Sequence, residues 1–520
     1  MRPGLLLGAL FLPLLFRCAA AEFSLAGTVV NRITGAPIPR ARVSLVGTNN
    51  QALSDASGVF RFSHLPADTY LVAVQKIGFD EENPTPLELT ESRANLTIPL
   101  TPLASIHGRV TDSEGDPVEG VVVVALISQL EHGLASWQLA RQATTDDRGQ
   151  YTIPLLRAGR YLVQAAGRDD HRVIGESTPG RNTHEAFAPV YFGGARERAL
   201  ASVLTLSPGQ EERADLSLSL QHGYTVSGKI TNLKPYSQPA MQLLAGEEDS
   251  GWTSSSLQLA TGYFELHNVL DGAYRLRIVG AGPGNQPVTG EQEIRVAGGD
   301  VEGVSIALGA GITVKGRVHL EGPSTDTAPE ALGAFGARLD PPASLRSIAP
   351  PSFVSSAADG TFETGRLIPG KYRMQFWTTG PLYVSSVRSG DQDLLADPEL
   401  VARADTSEIE VVLRADAGFI EGGFVPAAPG REDPACFLLA HESLNRPVEA
   451  FCTEDGIITL FPLAPGSYRL HGFKGMEALQ SIAYQSPEVM HALARSGVRV
   501  EVRSGVTTQV RLHTPAEVPK

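Results

Sequence analysis

The chain is 520 residues long, with 53 Gly, 36 Pro and a formal net charge of −14. Such a length calls for several domains, and frequent Gly and Pro beside a modest charged fraction mark a turn-rich β protein, not a disordered one. The acidic balance argues against nucleic acid as a partner and against electrostatic docking to anionic lipid.

Residues 1–21 have the form of a signal peptide. Arg2 supplies the positive start, Leu5 to Phe16 the short apolar stretch, and Ala19, Ala20 and Ala21 the small-residue cleavage site. The stretch is too short to span a bilayer. Arg17 precedes Cys18 where a lipoprotein signal needs a small residue, so the mature chain is expected to start at Glu22. No later run reaches the roughly 18 apolar residues of a membrane helix; Val121 to Ile127 reads as a buried strand.

From there one plan repeats five times. Each unit opens with a strand carrying a Gly: LAGTVV at Gly27, IHGRVT at Gly108, VSGKIT at Gly228, VKGRVH at Gly316 and IEGGFV at Gly422. In the first two units a turn and a further strand follow (GAPIPRARVSLVG and GDPVEGVVVVAL). Then comes a fixed phrase: a Gly, an aromatic two residues on, a Leu or Val at seven, a turn Gly at ten and a Tyr at twelve. It reads GVFRFSHLPADTY from Gly58, GQYTIPLLRAGRY from Gly149, GYFELHNVLDGAY from Gly262, GTFETGRLIPGKY from Gly360 and GIITLFPLAPGSY from Gly456. Asp68 replaces the turn Gly once, and Ile458 replaces the aromatic once. Period-two alternation puts Phe60 with Phe62, and Tyr70 with Val72 and Val74, on one buried face. Each phrase is therefore expected to form a β-hairpin, its Tyr a core aromatic with the hydroxyl bonded to backbone. Each unit closes with another alternating strand, from Leu96, Leu216, Val304, Ile409 and Val510. Successive phrases start roughly 100 residues apart, the size of a small β-sandwich. The expected organisation is a signal peptide at 1–21 and five domains at 22–103, 104–222, 223–311, 312–417 and 418–520.

Two units depart from the plan. The second carries two insertions, one with Trp137 and one from Gly167 to Gly209 that holds AFAPVYFGGAR. The fifth has a helix signal: Ser486 as N-cap, Pro487 and Glu488 in the first turn, and Gly497 as a stop. It also holds the two mature cysteines, Cys436 and Cys452, in successive apolar runs. An exported pair of this kind usually forms a disulfide, against the alternative of two buried thiols.

The opening GxV with GxPV, followed by the DxxGxY–LxxGxY phrase, resembles the carboxypeptidase regulatory-like domain, and also the Cna protein B-type and starch-binding-like families. The stretches APVYFGGAR, YVSSVRSGDQDLL and SPEVMHALARSGVRVEVRSG are similar to a multi-unit form from soil bacteria such as Acidobacteria. The resemblance implies an all-β tandem array of about five transthyretin-like β-sandwich domains with one short helix in the last. It also implies a non-catalytic accessory or binding module, often of carbohydrate.

Catalytic and metal chemistry is not expected, and no cofactor is. No His has a Glu three residues on, as a zinc carboxypeptidase needs, and HExxH, GxSxG, Walker and dinucleotide motifs are missing. Asp169, Asp170, His171, His184 and Glu185 carry ligand chemistry but read first as solvated loop polarity. Lys229 and Lys315 lie near opening strands, yet the closing strands VSIAL and IEVVL offer no Asn for an isopeptide bond. The leading function is an exported, non-enzymatic, monomeric array that binds polysaccharide, with Trp137, Tyr191 and Phe192 as the candidate ligand surface beside Phe187. Trp252 and Trp377 are further loop aromatics. The alternative is a spacer or partner-binding stalk for a protein of the cell envelope. Periplasm, outer surface and medium remain equally open as the destination.

Overall fold

The computed structural model describes residues 22–516 apart from 82–83, 132, 169–184, 234–238, 246–247, 250–253, 283–285, 323–328, 343–344, 346–348, 425–433, 443–445, 476–478, 480, 495 and 514. The described residues are nearly all β, with the α-helix Pro487–Leu493 near the end. No helix among the described residues is long and apolar enough to cross a membrane.

Each unit is built on a ladder centred on its opening strand. These strands are Glu22–Asn31, Ala104–Thr111, Tyr224–Thr231, Lys315–Glu321 and Gly418–Phe424. On one side each pairs antiparallel with the first strand of the phrase; on the other it pairs parallel with the closing strand. The register is the same throughout. The opening Gly lies opposite the aromatic position: Gly27 opposite Phe60, Gly108 opposite Tyr151, Gly228 opposite Phe264, Gly316 opposite Phe362 and Gly422 opposite Ile458. A methyl group there has no room. At Gly27 a Cβ would lie 2.8 Å from the Phe60 ring, and at Gly228 it would run into the Val304 carbonyl of the closing strand. The phrase Gly serves the turn instead. Its φ lies between +67° and +80° in all five copies, a region that costs other residues strain. In four units an Asp side chain caps that turn. Asp55, Asp146, Asp359 and Asp455 accept backbone N–H groups at 2.7–3.0 Å.

The phrase is not a hydrogen-bonded hairpin. Its aromatic strand belongs to the opening sheet, while its Tyr strand crosses to a second sheet; in the first unit the orders are Val59–Pro66, Glu22–Asn31, Arg93–Leu100 and Gln51–Leu53, Arg42–Leu45, Asp68–Gln75, Thr85–Leu89. The two strands therefore face each other across one core. The crossing is prepared by a bulge. Positions two and four share a face, but position seven has the wrong parity for it. His64, Leu155 and Asn268, each at position six, take φ near +60° and the register slips beside them. That extra residue returns Leu65, Leu156 and Val269 to the buried side. Past the turn the Tyr ring fills the core, and its hydroxyl donates to the carbonyl four residues back: Tyr70 to Pro66 at 3.0 Å, Tyr161 to Arg157 at 2.7 Å, Tyr372 to Ile368 at 3.0 Å and Tyr468 to Ala464 at 2.7 Å. Burial pushes the Tyr161, Tyr372 and Tyr468 phenols up to about 12, so all three stay neutral donors.

Five separate hydrophobic cores result, one per unit. In the fifth unit the second sheet also buries its outer face, where Leu438, Phe473, Ile482 and Leu493 pack together. Cys436 and Cys452 sit opposite each other on neighbouring strands of that sheet, joined as a disulfide.

The units are fastened to one another. Between the first and second, Arg157 Nε meets Asp80 Oδ1 at 3.0 Å; Leu103 N–H to Gly78 O at 2.9 Å and Asp80 N–H to Thr101 O at 2.8 Å pin the end of the first unit beside that pair. Between the third and fourth, Arg277 is only 2% exposed; its Nε meets Glu291 Oε1 at 2.5 Å and its Nη2 donates to Pro369 O at 3.2 Å. Val279, Leu345 and Ile368 pack beside it. The fifth unit touches the fourth through Arg373 Nη2 and Gln485 Oε1 at 2.7 Å, and it also reaches back to the second. There Gln485 N–H donates to Gly133 O at 3.0 Å, and the Tyr484 ring lies where a Gly133 side chain would go. The chain turns back on itself, which a simple string of beads would not do.

Two outcomes are expected. Gly228→Ala forces the closing strand away and costs about 3 kcal/mol; hydrogen exchange should show the loss confined to the third unit, with the other four protected as before. Arg277→Ala leaves Glu291 facing Pro369 without its cation and costs about 3–5 kcal/mol, the range for breaking a buried pair. Limited proteolysis should then cut between the third and fourth units, where the parent chain resists.

Candidate functional site

The aromatic surface expected on the second unit does not assemble. Its second sheet runs Leu134–Thr144, Val121–Glu131, Gly159–Arg168, Val190–Tyr191. Trp137 stands on the first of these strands and Tyr191 on the last, at opposite edges of one sheet. Trp137 is half-buried, and Tyr191 is 4% exposed. Tyr191 is thus no ligand platform. The insertion that carries it docks as an added strand, with Tyr191 N–H donating to Ala195 O at 2.7 Å and Phe192 N–H to Val163 O at 2.8 Å. Phe187 and Phe192 pack against the unit's own core. The physical reason is that a three-residue and a two-residue strand, Glu185–Phe187 and Val190–Tyr191, find free partners in Leu220–His222 and Gly159–Arg168. Backbone pairing then carries the rings inward. Trp377 is 41% exposed on the fourth unit, its ring laid over Gly336 on the neighbouring strand. Trp252, Asp169, Asp170, His171 and His184 lie outside the described residues. Among the described residues no three His, Cys, Asp or Glu side chains gather as a metal site would require.

Among the described residues a concavity lies elsewhere, between the first and second units. It is a groove of about 650 Å³. The first unit contributes Arg40, Arg42 and Lys76, and the second contributes Arg141 and Arg157. Among the described residues Asp80 and Glu81 are the carboxylates of its lining. Three cations are engaged: Arg157 with Asp80, Lys76 Nζ with Pro39 O at 2.9 Å, and Arg141 Nε with Leu155 O at 3.2 Å. Arg40 and Arg42 are exposed, and their side chains engage no described residue. Arg40 also holds φ at +55°, a conformation uncommon for a residue with a side chain. Beside them Ile77 is 91% exposed and Leu53 62%. The Arg157–Asp80 pair joins the two walls of the groove. Sequence reading missed this site because its residues come from six separate segments of two units. The nearest signal was the run Pro39-Arg40-Ala41-Arg42 in an acidic chain.

A second feature is a buried titratable group in the fifth unit. His471 is 1% exposed, and its Nδ1 has no hydrogen-bond partner among the described residues. It faces Gly497, beyond the helix. Burial first, and the Arg469 charge second, lower its pKa to about 4. The unfolded chain takes up this proton near pH 6.5 and the folded one only near 4. Stability should therefore fall as pH drops through that window and level off below it, by about 3 kcal/mol in all. Denaturant titrations at several pH values should show this slope, and His471→Leu should remove it while the carboxylate background stays.

The comparisons bear on the fold. The carboxypeptidase regulatory-like domain model matches residues 24–101 and 105–219. No curated protein matches the chain. Among solved structures, the minor pilin of Streptococcus agalactiae is 14% identical over 38% of this chain and 95% of its own, with a TM-score of 0.22. The shaft pilin SpaA of Lactobacillus rhamnosus GG is 10% identical over 39% of this chain and 98% of its own, at 0.21. The Bacillus anthracis TIE protein is 10% identical over 95% of this chain and 68% of its own, at 0.15. Similarities this low carry no argument for a shared role. What the first two units are similar to, over residues 24–101 and 105–219, is the carboxypeptidase regulatory-like domain.

Proposed function

We propose that the protein is an exported, non-catalytic structural array that holds binding surfaces at fixed separations for a partner outside the cytoplasm, its five domains bounded near residues 103, 222, 311 and 417. One observation carries this reading: neighbouring cores are fastened by buried or backbone-anchored contacts, above all Arg277 with Glu291 and Pro369, and Gln485 with Gly133. A chain that only tethered would need no such joints, since inter-domain motion is the default where interfaces are small and polar. The carbohydrate reading has lost its main support, because Tyr191 is buried and Trp137 stands at the far edge of the same sheet.

Two measurements test the proposal. Expression of the whole chain followed by fractionation and N-terminal sequencing should place the protein outside the cytoplasm with Glu22 as its first residue. Small-angle scattering should give a single compact maximum dimension, which lengthens in a Gly133→Trp variant that wedges the fifth unit off the second. An uncut cytoplasmic chain, or a parent chain already as extended as the variant, would overturn the reading.

A further inference from the structure

We propose that the groove between the first and second units binds an extended peptide segment of a partner protein in which acidic and apolar side chains alternate. This names the partner chemistry for the role proposed above and rests on that reading.

Charge is the first argument. Five cations against two carboxylates line the groove, in a chain whose formal net charge is −14. Such a local reversal of sign attracts an anion. Arg40 and Arg42 are exposed in the groove and have no pairing with a described residue to explain them. The second argument separates a peptide from an acidic glycan. A polyuronate would satisfy the arginines but would leave Ile77 and Leu53 in water. A peptide strand offers carboxylates on one side and aliphatic groups on the other, with period two. The third argument is the backbone. Leu53 belongs to Gln51–Leu53 and Arg141 to Leu134–Thr144, and each of these strands is terminal in its sheet. Two sheet edges thus reach one groove, and an extended segment can add to either by main-chain hydrogen bonds.

The test uses the purified full chain and a fluorescein-labelled peptide of about ten residues alternating Glu with Val, read by anisotropy at about 50 and 300 mM salt. An Arg–Val peptide and an oligogalacturonate of similar charge serve as comparison ligands. Saturable binding of the Glu–Val peptide at low salt is expected, weakened about tenfold at the higher salt. The double variant Arg40→Asn, Arg42→Gln should weaken it by tenfold or more, and Ile77→Ser by several fold. Asn suits the positive φ of residue 40, and all three side chains are exposed, so folding is preserved. Arg317→Gln, on the fourth unit, should change nothing.

No saturable binding by the parent chain overturns the proposal, as does binding that the double variant leaves intact. Oligogalacturonate bound as tightly as the peptide and lost in the same variants would assign the groove to acidic glycans instead. Peptide binding indifferent to Ile77→Ser would mark it as a bare anion patch, which also overturns the proposal. Each of these failures leaves the exported array standing if fractionation and scattering support it. Cytoplasmic retention sinks the array even where the peptide binds.

Discussion

Every unit depends on one close approach. The opening strand runs between an aromatic ring on one neighbour and a carbonyl-lined closing strand on the other, and only a residue without a side chain fits between them. Gly27, Gly108, Gly228, Gly316 and Gly422 occupy that point, each opposite the same position of its phrase. The ring gains a flat backbone surface to cover, and the parallel partner gains a strand it can reach. Where Ile458 stands for the aromatic, the Gly is kept and the neighbouring Gly423 is added. The backbone constraint is therefore stricter than the choice of side chain that exploits it.

From that point the rest of each sandwich follows. The bulge at position six reverses side-chain parity, the turn carries the chain to the second sheet, and the Tyr hydroxyl ties the far end of the turn to its own start. The Tyr is neutral at any physiological pH because burial raises its pKa. It therefore acts as a fixed donor and not as a titrating group. A unit built this way needs few charged contacts inside, so its surface is free to vary. Variation appears as joints in one place and as a basic groove in another.

The joints change what the array can do. Five independent cores on loose linkers would sample many shapes, and any two surfaces would meet only transiently. Arg277 buried between units, and Tyr484 seated on Gly133, hold the second, third, fourth and fifth units in one arrangement. The first unit is held to the second by Asp80 and Arg157 within the groove itself. A ligand there touches both units at once, so its binding and their relative orientation are coupled by the same contacts.

Much of the fold was legible in residue order. The five phrases, their Gly–aromatic spacing, the core Tyr with its hydroxyl on backbone and the helix at Pro487–Leu493 all depend on interactions between residues close in sequence, which period and turn chemistry report directly. The reading of the phrase as a hairpin failed because a hairpin and a sheet-to-sheet crossing share the same alternation and the same turn residues. In three units the crossing is marked by the positive φ of one residue, at His64, Leu155 or Asn268. The aromatic surface on the second unit failed for a related reason. Residues 187–192 look like loop until a free strand edge elsewhere offers them backbone partners. The groove and the joints were invisible for a deeper one. Arg40 and Arg157 are far apart in the chain, as are Gly133 and Gln485, and each was an ordinary surface residue until two complete units came to rest against each other.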